Sequence, residues 1–181
     1  MENKINKITA ELYALGAYKV NVIDASKVVT DPLFRDMCKS NACGLYGKCW
    51  TCPPDCGDIN QLITSLEKYT KVLVFQTVGK LEDSYDFEGM TEHKKSFARL
   101  TLKVKQMLSK ERVEALVLGA GGCGICERCS KRDNEPCRFP TRAIYSLEAY
   151  GVNVYELAKS AEMKYINGKD TVTYFCAVFF D

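Results

Sequence analysis

Ten cysteines and a single histidine set the chemistry open to this chain. Nine of the thiols fall into two groups: Cys38, Cys43, Cys49, Cys52 and Cys56, then Cys123, Cys126, Cys129 and Cys137. Cys176 stands alone. Thiolates spaced two to seven residues apart can converge on one metal centre, which scattered core cysteines cannot do. Soft sulfur donors select iron–sulfur clusters or zinc over hard cations.

The second group lies in GGCGICERCSKRDNEPCRFP and reads C-x2-C-x2-C-x7-C-x2-P. Three cysteines at two-residue gaps wrap the chain around one face of a [4Fe–4S] cubane, and a fourth ligand arrives from further away. Gly121, Gly122 and Gly124 leave room for backbone N–H groups to approach the cluster sulfides. A structural zinc site is the competing reading, although zinc favours two separated C-x2-C knuckles or mixed Cys/His ligation.

The first group lies in CKSNACGLYGKCWTCPPDCG. Cys38, Cys43 and Cys52 are the preferred ligands, with either Cys49 or Cys56 as the fourth. Pro53 and Pro54 directly follow Cys52, a cysteine–proline ending of the ferredoxin type that turns the chain away from a cluster. Tyr46 and Trp50 either shield such a cluster from water or serve as ordinary core aromatics.

Other signals are weaker. Gly119, Gly121 and Gly124 spell G-x-G-x-x-G after a strand, but the last glycine sits between ligand cysteines and no acidic residue follows about twenty positions on. Cys49-Trp50-Thr51-Cys52 has the spacing of a redox dithiol, yet it is flanked by further cysteines. His93 is expected in a solvated or capping role, and Cys176 as a buried, inert thiol. Arg128, Lys131, Arg132, Arg138 and Arg142 surround the second loop, where they offset the charge of an anionic cluster or dock an acidic partner or an anionic substrate. Asp55 and Asp58 read as a turn residue and a helix cap.

The scaffold must hold both loops. Residues 3–16 carry Ile5, Ile8, Leu12 and Leu15 at helical spacing, and a strand follows at 17–24. Asp31-Pro32 opens a brief helix that delivers Cys38, and Asp58 with Gln61 starts another. KVLVFQTV (71–78) and EALVLGAG (114–121) are apolar runs of the kind buried on both faces, separated by a polar loop (80–90) and an amphipathic helix (91–110). Helices are expected at 141–150 and from Asn153 to 162. Asn167-Gly168 is expected to form a hairpin turn between MKYI and the final strand TVTYFCAVFF. Helices alternating with buried strands imply an α/β fold: one domain over 1–181, a mixed β-sheet with packed helices and two cysteine-rich cluster-binding loops that meet at one end of the sheet.

The chain resembles a bacterial and archaeal family described only as predicted metal-binding proteins, a domain of unknown function. ALGAYKVNVIDASKVV carries the N-terminal likeness. C-x4-C-x2-YG-x2-W-x-CPP matches through Cys38, Cys43, Tyr46, Gly47, Trp50, Cys52, Pro53 and Pro54. The second loop matches through Cys123, Cys126, Cys129, Pro136, Cys137, Arg138 and Pro140, followed by Ser146, Glu148, Ala149 and Gly151. The resemblance implies metal or iron–sulfur binding by the matched cysteines and brings no reaction with it. Cys49 and Cys56 are additions to its usual pattern.

A net charge of +2 argues against a dedicated nucleic-acid binder, and no apolar stretch resembles a transmembrane span or signal peptide. The expected setting is the reducing cytosol, where the cysteines are ligands rather than disulfides. The expected function is electron transfer through two [4Fe–4S] clusters, with a redox partner protein. The alternatives are an iron–sulfur enzyme with an open-coordination cluster acting on a small substrate, and a zinc-stabilised interaction module.

Overall fold

Alternate residues of the apolar run at 71–78 pack into two different cores: Leu73 and Phe75 into one, Val72 and Val74 into the other. The final strand does the same, sending Cys176, Val178 and Phe180 to the first core and Phe175, Ala177 and Phe179 to the second. A strand apolar at every position must be covered on both faces, because its side chains alternate. The computed structural model describes residues 1–181 and shows that arrangement.

Five strands form one mixed sheet: β1 (Lys19–Asp24), β2 (Lys71–Lys80), β3 (Ala115–Gly119), β4 (Tyr145–Ser146) and β5 (Thr171–Phe180), in the order β1-β2-β5-β3-β4. β5 pairs antiparallel with β2 along its whole length and with β3 over Ala115–Leu118. Only β3 and β4 run parallel. Helices α1 (Glu2–Ala14) and α4 (Phe87–Lys110) cover one face through Ile5, Ile8, Leu12, Phe97, Leu100, Val104 and Leu108. The other face is covered by α5 (Val154–Ser160), the turns around it, and the segment carrying α3 (Ile59–Thr64). No helix is long and apolar enough to cross a membrane.

The expected caps are present. Asp31 accepts from the Leu33 N–H at 2.8 Å to open α2 (Pro32–Asp36), Asp58 accepts from Gln61 N–H at 3.0 Å, and Asn153 accepts from Glu156 N–H at 3.1 Å. α4 begins earlier than its apolar periodicity predicts, because Asp86 caps it by accepting from Gly89 N–H at 2.7 Å.

Two expectations fail. Residues 141–150 are not a helix: Tyr145 and Ser146 add β4 beside β3, and a single 3-10 turn follows at Glu148–Tyr150. The parallel pairing satisfies the backbone there, and Gly151 at φ +67° turns the chain out. Asn167-Gly168 is not a hairpin turn either. Both edges of β5 are taken by β2 and β3, so MKYI has no edge to join. The Asn167 side chain instead donates to the Lys164 carbonyl and the Thr173 hydroxyl, each at 3.0 Å.

Candidate metal centre

The second cysteine loop starts where β3 ends, at Gly119, and returns to the sheet as β4. The first follows α2, with Cys38 in the 3-10 turn Met37–Ser40. That helix is docked on the turn after β4, because Asp31 N–H donates to the Gly151 carbonyl at 2.8 Å and Asn153 N–H to the Val29 carbonyl at 2.9 Å. Both loops therefore occupy the β3–β4 end of the sheet, and they touch.

Four contacts join them. The Trp50 indole N–H donates to the Glu135 carbonyl at 2.9 Å. Lys131 Nζ lies 2.7 Å from an Asp55 carboxylate oxygen and 4.3 Å from the centroid of the Trp50 ring. A Cβ on Gly122 would stand 2.5 Å from Leu45 Cδ1 and 3.8 Å from Cys49 Sγ, so the absence of a side chain lets the loops close. Cys49 and Cys123 line the same small gap. Lys131 thus ties one loop to the other. Asp55 is its partner rather than a plain turn residue, while Asp58 caps α3.

All ten cysteines are free thiols. Cys38, Cys43 and Cys52 line one side of a cavity of about 350 Å³. Cys123, Cys126, Cys129 and Cys137 surround a gap of about 30 Å³, the volume of roughly one water molecule, and Cys49 joins them there. Cys56 lies off the cavity, where the Arg35 guanidinium donates to its sulfur and to the Gly57 carbonyl, the latter at 2.7 Å. The two candidates for a fourth ligand in the first loop are therefore separated: Cys49 is turned toward the second loop and Cys56 toward Arg35. No three His, Cys, Asp or Glu side chains converge tightly enough to hold a single metal ion. The nine loop thiols, with no imidazole among them, are the soft donor set that fits a thiolate-ligated centre.

Their electrostatics differ. Cys52 holds the Cys49 thiol well below the ordinary thiol range, helped by the Thr51 hydroxyl 3.4 Å from its sulfur and by nearby backbone N–H groups, against the effect of burial. The interaction with Cys49, together with burial, pushes Cys52 up. Burial raises Cys38, and the nearby Glu148 carboxylate raises it further. Burial also raises Cys56 and Cys123; Arg35 opposes the first shift, and the Ile144 and Ile125 N–H groups oppose the second. Fixed N–H donors and cations of this kind are what a bound anionic centre requires.

The remaining residues singled out by sequence are distributed as follows. Cys176 is fully buried in the sheet, where burial raises its thiol, and it takes no part in the loops. His93 packs against Gly79 and bonds the Lys80 carbonyl at 3.1 Å. The glycine series Gly119, Gly121, Gly124 opens no helix, so no helix N-terminus faces a phosphate. Arg128 pairs with Asp133 at 2.5 Å, and Arg138 donates to the Arg128 carbonyl at 3.1 Å, so these two brace the second loop internally. Tyr46 lines the large cavity, and Trp50 caps the small gap.

Several residues were not found from sequence. Lys94 lines the cavity beside the first loop and lies within 3.2 Å of the Cβ position of Gly121. It continues the apolar stripe of Phe97, Thr101, Val104 and Leu108 one turn earlier, and a lysine on that stripe was the available signal. Glu148, on the opposite segment, left only its place in the S-L-E-A-Y-G stretch. Arg35 left none, because its partner Cys56 is distant in sequence.

An α/β scaffold that brings nine thiols to one end of its sheet defines a cysteine-rich metal-binding protein. The match to a family model places the chain: residues 21–180 belong to the family described as predicted metal-binding protein, DUF2284. No curated protein and no solved structure matches the chain.

Proposed function

We propose that this metal-binding protein carries two iron–sulfur clusters of the [4Fe–4S] type and passes electrons to a redox partner protein. Cys123, Cys126, Cys129 and Cys137 would hold one cluster, and Cys38, Cys43 and Cys52 the other. The observation that carries the reading is the direct packing of the two thiol loops through Trp50, Lys131 and Gly122, which would keep two bound centres at a short, fixed separation. Bound there, the clusters would supply reversible one-electron chemistry. The chain's own contribution is to exclude water with Trp50 and Tyr46, to hold cations and N–H donors toward the sulfurs, and to expose one face to the partner.

One observation favours a second reading. The three preferred thiols of the first loop open onto the 350 Å³ cavity, while Cys56 is engaged by Arg35. A cluster with three protein thiolates has one iron free to bind a substrate atom as a Lewis acid, which is the arrangement of an iron–sulfur enzyme.

Anaerobic purification with iron and acid-labile sulfide analysis tests both readings. About eight iron and eight sulfide per chain are expected for two cubanes. Zinc without sulfide would replace both by a zinc-stabilised interaction module. EPR of the reduced protein separates the first two: a signal that shifts with added small ligands marks an open iron, and an unresponsive one marks electron transfer alone.

A further inference from the structure

The cavity beside the first loop has polar features that thiol ligation does not use. Lys94, from α4, and Glu148, from the turn after β4, both line it and are both half-buried. None of the eight ion pairs in the molecule includes either residue. They do not pair with each other, so the ammonium and the carboxylate are held more than 4.0 Å apart across the same space. Half-burial weakens hydration of a charge, and an unpaired charge in that position is stabilised by a ligand of opposite sign.

The rest of the lining is largely apolar. Tyr165 stacks on Phe175 with centroids 5.9 Å apart and planes 10° from parallel, and both line the cavity with Tyr174. At about 350 Å³ the space lies at the small end of small-molecule sites. Its features are a cation, an anion, an aromatic surface and the thiols Cys38, Cys43 and Cys52.

We infer that this cavity binds a small zwitterion of amino-acid size, its carboxylate on Lys94, its ammonium on Glu148 and its apolar body on Tyr165 and Phe175. A simple anion satisfies Lys94 but faces the Glu148 carboxylate, and a simple amine has the converse fault. Only a ligand carrying both signs pairs both side chains. The inference rests on the metal-centre reading in one respect: it makes the occupant a neighbour of whatever Cys38, Cys43 and Cys52 hold.

The test is isothermal titration of anaerobically purified protein with L-phenylalanine, 3-phenylpropionate and 2-phenylethylamine, which share one body and differ in charge. The amino acid is expected to bind at least about tenfold more tightly than either singly charged analogue. Lys94→Met should remove its advantage over the amine, and Glu148→Gln its advantage over the acid. The comparison of the three compounds on the unaltered protein holds even if a variant misfolds. Equal affinity for all three, or no binding at millimolar concentration, overturns the assignment. Iron and sulfide are measured in the same preparation. Selective binding without iron supports the cavity assignment and removes the cluster reading; iron without selectivity removes the cavity assignment and leaves the clusters.

Discussion

Replacing Lys131 by methionine tests whether the two thiol loops are mechanically one unit. The side chains of Lys131 and Asp55 are only 16% and 26% exposed, and the ammonium also sits over the Trp50 ring. Exposed ion pairs contribute about 0.2–1 kcal/mol, and breaking a fully buried one costs about 3–5 kcal/mol. This pair lies between those limits, and a cation–π contact adds roughly 0.5–2 kcal/mol. Methionine keeps much of the apolar stem but removes both interactions, so a loss of about 2 kcal/mol is expected. For a chain of this size that lowers the thermal midpoint by roughly 4–8 °C. The assay is a double-mutant cycle with Asp55→Asn, using anaerobic protein of matched metal content. A coupling of about 1 kcal/mol or more is expected. If K131M leaves the midpoint unchanged and the two substitutions simply add, the loops are not held together by this contact, and the fixed separation of their centres loses its support.

Other outcomes follow from the same geometry. Trp50→Phe keeps an aromatic ring but removes the indole N–H bonded to Glu135, so a loss of about 1 kcal/mol or more is expected in denaturant unfolding. Gly151→Ala should be worse, at about 2 kcal/mol or more: the backbone there is left-handed, and the new Cβ would lie 2.8 Å from the Asp31 carbonyl oxygen. Cys176→Ala should leave metal content unchanged, and a loss of metal would contradict its place in the sheet core. Burial raises the Tyr150 phenol to about 12 from an ordinary 10, so its contribution is intact below pH 10 and is lost as pH rises toward 12. Stability compared with Tyr150→Phe across that window should decline more steeply in the unaltered protein.

The parts of the molecule legible in its sequence are those governed by local rules. β2 and β5 are apolar at almost every position, and that alone requires cover on both faces; Asp31-Pro32, Asp58 and Asn153 announce their helices by capping. The segment at 141–150 misled because β4 is a two-residue strand whose formation depends on the free edge of β3. MKYI misled because nothing local reveals that β5 already has a neighbour on each side. The same limit applies at the thiols. Spacing identifies nine of them as a donor set, but the turning of Cys49 toward Cys123 and of Cys56 toward Arg35 is a long-range matter. Lys94 and Glu148 line one cavity from distant segments, a juxtaposition that no local pattern reveals.

The position of β5 in the sheet has a consequence for biosynthesis. It is the keystone between the β1–β2 pair and the β3–β4 pair, yet it lies after both thiol loops in chain order. During translation the reactive sulfurs leave the ribosome before the platform that sets their spacing exists. The two halves lock only when Thr171–Phe180 slots between them. Metal binding in its final geometry is thereby deferred until Thr171–Phe180 has been made, and nascent chains stalled short of that strand should be prone to mispaired thiols.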